Sequence, residues 1–205
     1  MKRILLLLLA LCLALSLFSC DGDENVENGE SAQTSADFAK FEMADGATFV
    51  VELYPEYAPE TVENFKKLVS QGFYDGLTFH RIYKGFMIQG GCPKGDGTGS
   101  SEQKIRGEFS SNGFTQNTLK HERGVISMAR GNNPDSASCQ FFIMHQNAEH
   151  LDGNYAAFGR VVEGMDVIDA IAETQVTYQS YSMELSKPIE PPVIKTVTLI
   201  SYSAK

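Results

Sequence analysis

The chain has 205 residues, of which 42% are hydrophobic and 21% are charged, and these proportions are ordinary for a globular protein. This length suits one folded domain with short extra segments. The formal net charge of −9 repels phosphate backbones and anionic headgroups, so we expect no nucleic-acid partner.

The N-terminus has the pattern of a secretory signal. The bases Lys2 and Arg3 come first, and an almost wholly apolar stretch, Ile4–Phe18, follows them. A basic start and an apolar stretch of this length are typical of a signal peptide, and the stretch is short for a membrane span. An ordinary cleaved signal and an uncleaved anchor are both compatible with this pattern.

A cysteine ends the signal-like stretch. The segment Leu17–Cys20 resembles a bacterial lipobox, with an aliphatic residue at its start, Ser19 before the cysteine and Cys20 as the first residue after cleavage. The resemblance implies a lipoprotein signal peptide over residues 1–19. Lipidation of Cys20 would hold the protein at the extracytoplasmic face of a bacterial cell membrane, because two or more acyl chains give stable anchoring.

Acidic and small polar residues follow the cysteine. Residues 21–35 contain five acids and no base, together with Gly, Asn, Gln, Ser and Thr. Such a segment buries little apolar surface and is expected to be disordered. We therefore predict a lipidated cysteine and acidic disordered tether over residues 20–36, and a folded domain over residues 37–205.

The folded domain begins with two segments that carry apolar side chains at alternate positions. Residues 39–43 and residues 48–53 have this pattern, which predicts two strands. Asp45-Gly46 between them is a strong signal for a hairpin turn. Pro59 then marks the start of a helix, whose apolar residues recur at helical spacing until Gly72 ends it.

Short apolar strands separated by Gly and Asn come next. They are predicted at Leu77–Arg81, Phe86–Gln89, Val125–Met128, Gln140–Met144 and Ala156–Val161. A second helix is predicted over Asp166–Ala172. Pro188, Pro191 and Pro192 punctuate a loop before a closing strand at Val193–Ile200. Many strands with two helices predict a mainly β fold, and closure into an antiparallel barrel would remove exposed strand edges.

Three groups of motifs resemble the cyclophilin family of peptidyl-prolyl isomerases. They are Phe79–Ile82 with Gly85–Gly91, Ser127–Arg130 with Ser138–Ile143, and Leu151–Gly153 with Phe158–Gly159. Their order and spacing follow the family from about residue 38 to residue 202. The resemblance implies a closed eight-stranded antiparallel barrel capped by two α-helices. It implies no cofactor and no metal.

The resemblance also assigns roles to single residues. Arg81 matches the catalytic arginine, and Gln89 and Phe142 complete the predicted catalytic set. Ala129 matches a backbone position that pairs with the bound peptide. The other predicted substrate-binding residues are Phe86, Met87, Gln140, His150, Leu151 and Tyr155.

Some positions depart from the best-known eukaryotic members of the family. His150 stands where they have a tryptophan, and Tyr155 stands where they have a pocket histidine. These two changes predict weak cyclosporin binding and an altered preference for the residue before proline. Arg130 replaces an asparagine seen elsewhere, and the sequence assigns it no role.

The implied reaction is rotation about an X-Pro bond, whose barrier is about 18–20 kcal/mol. The prolyl nitrogen regains a lone pair at the twisted state, so a donor aimed at it is favourable only in the transition state. Arginine suits this role because it is always charged and presents a rigid fork of donors. We predict an isomerase for the folding of exported proteins, with proline-containing unfolded or exported polypeptides as partners. A tethered binding module that holds proline-containing segments is the alternative.

Other residues that could carry chemistry lack the partners it needs. Gly95–Gly99 is not followed by the Lys-Ser/Thr of a phosphate loop. Cys139 and His145 lack a third group that would orient a base, and His145 and His150 lack further zinc ligands. The sequence leaves open a disulfide between Cys92 and Cys139, and a monomer is the default oligomeric state.

Overall fold

The computed structural model describes residues 37–179 and 183–202. The predicted signal peptide over residues 1–19, the lipidation of Cys20 and the tether over residues 20–36 lie outside the described residues. Neither of the α-helices within the described ranges is long and apolar enough to cross a membrane.

Most strands follow one another along the chain without an intervening α-helix. In chain order they are β1 (Phe38–Met43), β2 (Thr48–Leu53), α1 (Pro59–Ser70), β3 (Phe79–Tyr83), β4 (Met87–Gly90), β5 (Val125–Met128), β6 (Phe141–Met144), β7 (Ala157–Glu163), α2 (Met165–Ala172), β8 (Val176–Tyr178), β9 (Leu185–Pro188) and β10 (Ile194–Ile200). Short 3-10 helices lie at Ser110–Asn112, Pro134–Ser136 and Glu149–Leu151.

The turn and helix signals of the first part are confirmed. Gly46 has φ +89°, and the backbone N–H of Ala47 donates to Asp45 Oδ1 at 2.9 Å, which closes the predicted hairpin. The first helix begins at Pro59, where the missing N–H of proline costs no helical hydrogen bond. Gly72, with φ +65°, lies just after that helix, in a conformation that side chains with a Cβ rarely adopt.

Eight strands form one antiparallel sheet in the order β10-β1-β2-β7-β5-β6-β4-β3. The predicted mainly β fold with eight strands and two helices is confirmed. The prediction of a closed barrel is wrong, because β3 and β10 form no ladder and are linked only at their starts, by an isolated bridge between Thr78 and Val193 and the backbone hydrogen bonds around it. Pro191 and Pro192 precede β10 and carry no N–H, so the chain cannot extend this bridge into a ladder.

A second sheet of two strands, β8 and β9, was not predicted. Val176 pairs with Pro188, Thr177 with Lys187 and Tyr178 with Leu185, and β9 lies against β3 of the main sheet. These strands have only three and four residues, and the prolines nearby favoured a loop. The hairpin places residues from late in the chain beside β3.

The inner core lies between the main sheet and the helices and is rich in aromatic rings. Phe141 is fully buried at its centre. Its ring centroid lies 5.7 Å from that of Phe41, 6.1 Å from Phe65, 5.6 Å from Tyr74 and 6.0 Å from Phe79, each in an edge-on arrangement. Aromatic pairs favour this geometry, so we regard these rings as a major source of the stability of the fold.

A smaller apolar group, which we call the outer cluster, covers the opposite face of the sheet. Successive strand residues point to opposite faces, so β6 sends Phe141 into the inner core and Phe142 into the outer cluster. The buried members of the outer cluster are Met87, Val125, Phe142, Met144, Ala148, Leu151 and Ala157. Several of them were predicted to bind substrate.

Candidate active site

Four side chains form a row across neighbouring strands on the outer face. Arg81 on β3 lies opposite Gln89 on β4, Gln89 lies opposite Phe142 on β6, and Phe142 lies opposite Ser127 on β5. Directly opposed residues share a face and have close Cβ atoms. The pairing register of the sheet therefore brings the three predicted catalytic residues together.

A β-bulge in β3 turns Arg81 toward this face. Phe79 pairs with Gly90 and Arg81 pairs with Gln89, so His80 is an extra residue on β3. In a regular strand residues 79 and 81 would point to the same face. The bulge leaves Phe79 in the inner core and directs Arg81 outward, as bulges next to active sites commonly do.

One open cavity of about 340 Å³ gathers the predicted site residues. Its lining residues are Arg81, Phe86, Met87, Gln89, Ala129, Arg130, Phe142, His150, Leu151 and Tyr155. Gln140 is the one predicted site residue absent from this lining, and it borders an adjoining cavity of about 190 Å³. Arg130, to which sequence reasoning assigned no role, also lines the main cavity.

Aromatic rings form the floor and one wall of the cavity. The ring of Phe142 meets that of Tyr155 edge-on, with the centroids 5.7 Å apart. Phe86 stacks on His150 at 5.7 Å with an angle of 26° between the rings. Leu151 adds an aliphatic side chain from the short helix Glu149–Leu151. The cavity thus has an aromatic and aliphatic floor, with Arg81 and Gln89 on the side of β3 and β4 and Arg130 elsewhere in the lining.

Arg81 is held by hydrogen bonds on two edges of its guanidinium. Its Nη1 donates to Gln89 Oε1 at 3.2 Å and lies 3.9 Å from Met87 Sδ. Its Nε and Nη2 donate to Oε1 and Oε2 of Glu184 at 2.7 and 2.8 Å. Sequence reasoning missed Glu184, because it lies 103 residues away and outside every motif.

A chain of amides fixes the orientation of Gln89. Gln140 donates its Nε2 to the carbonyl oxygens of Gly97 and Gly99 at 2.9 and 2.7 Å. Its Oε1 accepts from Gln89 Nε2 at 3.0 Å, so the Oε1 of Gln89 faces Arg81. Gln140 therefore acts on Gln89 and on the glycine loop rather than within the main cavity.

Backbone and cation contacts complete the rim. The N–H of Ala129 donates to the carbonyl of Gln140 at 2.9 Å, so the group that Ala129 can offer a bound peptide is its carbonyl oxygen. The guanidinium of Arg130 lies 4.7 Å from the ring centroid of Tyr155 and 5.0 Å from that of Phe109. These cation–π contacts hold the guanidinium against the Tyr155 ring.

Behind Phe142 lies a Ser–His–Asp arrangement that sequence reasoning did not detect. His121 Nδ1 is 3.1 Å from Asp152 Oδ1, and His121 Nε2 is 3.0 Å from Ser127 Oγ. Both Ser127 and His121 are almost completely buried, so no substrate can reach the hydroxyl. The imidazole stacks on Phe142 at 5.9 Å. We interpret this group as a support for the cavity floor rather than as a nucleophile.

Charge in the site comes from the Arg81–Glu184 pair and from Arg130 in the cavity lining. The hydrogen bonds and charge of Arg81 lower the pKa of Glu184 below its usual value, so the carboxylate is ionised. Burial lowers the pKa of His80 to about 4, and burial also lowers the pKa of His121. Both imidazoles are therefore neutral near pH 7.

The cysteines show no sign of redox or metal chemistry within the described residues. Cys92 and Cys139 are both free and buried, so no bridge joins them. Burial raises the pKa of the Cys139 thiol, which keeps it protonated and unreactive. Over the described ranges, no group of three or more His, Cys, Asp or Glu side chains is arranged to hold a metal ion.

Comparisons with known proteins agree with this geometry. Residues 38–199 match the family model for cyclophilin type peptidyl-prolyl cis-trans isomerase/CLD. The chain is 48% identical to peptidyl-prolyl cis-trans isomerase B of Bacillus subtilis over 126 residues, which are 62% of this chain and 84% of that protein. It is 38% identical to a peptidyl-prolyl cis-trans isomerase of Helicobacter pylori over 154 residues, which are 74% of this chain and 90% of that protein.

Solved structures lead to the same family. A crystal structure of a Cryptosporidium parvum cyclophilin type peptidyl-prolyl cis-trans isomerase, determined in the presence of the dipeptide Ala-Pro, matches with a TM-score of 0.70 and 28% identity. The match covers 80% of this chain and 99% of that structure. The chain belongs to the cyclophilin family and is a peptidyl-prolyl cis-trans isomerase.

Proposed function

We propose that Arg81 accelerates X-Pro isomerisation by donating a hydrogen bond to the prolyl nitrogen at the twisted state. The observation that supports this role is the placement of Arg81 Nη1 on the cavity rim, oriented by Gln89 and in one cross-strand row with Phe142. The proline ring would occupy the apolar cavity, while the chain on the other side of the bond turns.

Rotation about the X-Pro bond changes the electronic state of the prolyl nitrogen. Twisting the amide breaks its resonance and returns a lone pair to the nitrogen, so a fixed donor gains strength only as the barrier is approached. A cavity with apolar walls excludes water and strengthens that donor. Lowering the barrier by about 7 kcal/mol would accelerate rotation about 10⁵-fold, a plausible demand on one arginine and a well-shaped pocket.

The walls of the cavity explain how a proline would be bound. Phe86, Met87, Phe142 and Leu151 offer an apolar surface of the size of a pyrrolidine ring, and the carbonyl of Ala129 offers an acceptor to the peptide backbone. The relative from Cryptosporidium parvum was crystallised in the presence of Ala-Pro. We extend this to proline-containing unfolded polypeptides as substrates of the present chain.

Substitution of Arg81 tests the mechanism. We expect Arg81→Ala to lower kcat/KM for a proline-containing peptide by about 10²–10³-fold, the loss typical of removing one transition-state donor. Arg160→Ala is a matched control, because Arg160 is an exposed arginine outside the cavity lining. An unchanged rate in Arg81→Ala would contradict the catalytic role. Peptide binding by the wild type without faster isomerisation would favour a binding module.

The N-terminal sequence supports a proposal for the place of action. We propose that a lipid on Cys20 holds the isomerase at the extracytoplasmic face of a bacterial membrane, where exported proteins fold. The signal-like stretch Ile4–Phe18 and the lipobox-like segment Leu17–Cys20 support this proposal. Cys20→Ser should move the protein from the membrane fraction to the soluble fraction of lysed cells, and continued membrane retention would count against lipidation.

A further inference from the structure

Among the described residues, Glu184 makes the shortest hydrogen bonds with Arg81, although it belongs to no family motif. Both of its carboxylate oxygens accept hydrogen bonds from the guanidinium, at 2.7 and 2.8 Å. Paired bonds between two charged groups are stronger and more directional than the single bond of 3.2 Å from Arg81 to the uncharged amide of Gln89. The orientation of Arg81 therefore depends on Glu184 more than on Gln89.

The hairpin formed by β8 and β9 directs Glu184 toward Arg81. Along this arm Ser186 and Pro188 are buried, while Leu185 and Lys187 are exposed. Glu184 precedes the buried Ser186 by two residues. Side chains two residues apart share a face, so Glu184 lies on the same face as Ser186 and Pro188. The carbonyl oxygen of Glu184 also accepts from the backbone N–H of Gln179 at 2.8 Å, which fixes the backbone beneath the carboxylate.

The backbone just before Glu184 adopts an uncommon conformation. Met183 has φ +54°, and among the described non-glycine residues it is the one with positive φ. A long unbranched side chain rarely adopts this conformation, and such outliers persist where the surrounding structure requires them. Here the left-handed turn leads directly into the residue that pairs with Arg81.

We propose that Glu184 is a positioning residue for Arg81, a role that rests on the proposed catalytic function of that arginine. Four side-chain torsions separate the guanidinium of arginine from its backbone, so an arginine without partners samples many orientations. The carboxylate fixes the Nε–Nη2 edge of the planar group, and Gln89 fixes Nη1. Two fixed edges define the plane, which keeps Nη1 directed at the cavity.

The carboxylate has a second, opposing effect on Arg81. Its negative charge weakens the positive potential that the guanidinium presents to a prolyl nitrogen. The side chains of Arg81 and Glu184 are 28% and 25% exposed, so solvent reduces this effect of charge on charge. Solvent does not weaken in the same way the constraint that the carboxylate places on the orientation of the guanidinium. Positioning therefore outweighs charge neutralisation, and loss of Glu184 should slow the enzyme.

The first test compares two glutamates of the same region in the full-length chain. We expect Glu184→Gln to lower kcat for a proline-containing peptide by about tenfold and to change KM less than about twofold, because Arg81 acts in the transition state. Glu190→Gln removes the same charge from an exposed residue beyond β9 and should leave both constants unchanged. Thermal unfolding of both variants shows that they are folded.

The second test measures the orientation of Arg81 directly. In a ¹H–¹⁵N NMR spectrum of the full-length protein, the Arg81 Nε–H resonance is identified by its loss in Arg81→Lys. We expect this N–H to exchange slowly with water in the wild type and in Glu190→Gln, and faster in Glu184→Gln. Faster exchange together with a lower kcat supports positioning, whereas faster exchange with an unchanged kcat would show that the ion pair is merely structural.

The outcomes separate this inference from the proposed mechanism. If Arg81→Ala abolishes turnover while Glu184→Gln retains or exceeds the wild-type kcat, the positioning role is wrong and the catalytic role stands. If Arg81→Ala retains turnover, the proposed mechanism itself fails. A rise in KM at constant kcat in Glu184→Gln would also overturn the proposal, because it would place Glu184 in contact with the substrate.

Discussion

The inner core and the outer cluster are built on the two faces of the same strands, and they differ in how they meet water. The inner core is closed, and Phe141 within it is surrounded by rings on several sides. The outer cluster is open at the cavity and is bordered by Arg81, Gln89 and Arg130. Adjacent residues of one strand, Phe141 and Phe142, thus serve stability and the active site respectively.

The two-residue period of a strand therefore separates the side chains that stabilise the fold from those that form the active site. Each strand that crosses the site supplies one set of side chains to the core and the other set to the cavity. Substitutions on the inner face should therefore change the free energy of unfolding, and substitutions on the outer face should change turnover.

The largest expected effect is on the inner face. Phe141→Ala should lower the free energy of unfolding by about 3–5 kcal/mol, because it leaves a cavity among packed rings. Urea denaturation measures this loss, and the kcat of the protein that remains folded should stay close to that of the wild type. A loss of stability below about 1 kcal/mol would show that the aromatic core can collapse around the missing ring.

Acidification tests His80, the buried extra residue in the bulge of β3. The pKa of His80 is about 4 in the folded protein and about 6.5 when unfolded, so the unfolded chain binds a proton first as the pH falls. Stability should therefore decrease between pH 6.5 and about 4, by on the order of 3 kcal/mol from this residue. His121, whose pKa burial also lowers, adds a loss in the same direction.

Urea denaturation at several pH values measures this dependence. His80→Gln should flatten it, because glutamine does not titrate. His150→Gln is the control, since His150 is exposed on the cavity rim, and it should retain the wild-type slope. An equally steep slope in His80→Gln would assign the loss of stability to other groups.

A smaller effect is expected on the outer face. Phe142→Leu should lower kcat/KM by about 10–50-fold, corresponding to about 1.4–2.3 kcal/mol, because leucine cannot reproduce the flat floor of the cavity. Its effect on the free energy of unfolding should stay below about 1.5 kcal/mol, as for other hydrophobic replacements of similar size. A larger effect on stability than on turnover would contradict the division between the two faces.

The smallest effect concerns the support of the cavity wall. Arg130→Ala removes the cation–π contact with Tyr155, which is worth about 0.5–1 kcal/mol at a partly exposed site. We expect kcat/KM to decrease by about two- to fivefold, mainly through a higher KM, as the Tyr155 ring loses its orientation. Arg130→Lys is the companion variant, because it keeps the charge and loses the flat group that stacks on the ring.

Local patterns predicted most of the fold. Alternation, the Asp45-Gly46 turn and the Pro59 and Gly72 helix signals act over a few residues, and the structure follows them. The hairpin of β8 and β9 was missed, because strands of three and four residues give too short a period to recognise. The open edge between β3 and β10 was missed as well, because sheet closure depends on distant segments meeting.

In the candidate site, too, contiguous motifs were recognised, whereas contacts between distant residues were missed. The family motifs named Arg81 and the residues of the cavity, since those motifs are contiguous stretches of sequence. The pairing of Arg81 with Glu184 joins residues 103 positions apart, and it depends on a hairpin that no motif marks. The contacts of His121 with Ser127 and Asp152 depend on burial, which the spacing of these residues does not reveal.

The extra residue at His80 makes the site sensitive to the length of β3 rather than only to its composition. If β3 kept all its residues but lost the bulge, Phe79 and Arg81 would share a face, so that either the phenylalanine would face solvent or the guanidinium would enter the inner core. Deleting His80 would instead make the two residues neighbours, and regular alternation would keep them on opposite faces. A substitution at position 80 leaves the count of residues intact. The opposite placement of Phe79 and Arg81 therefore requires either the bulge at the present strand length or a strand that is one residue shorter.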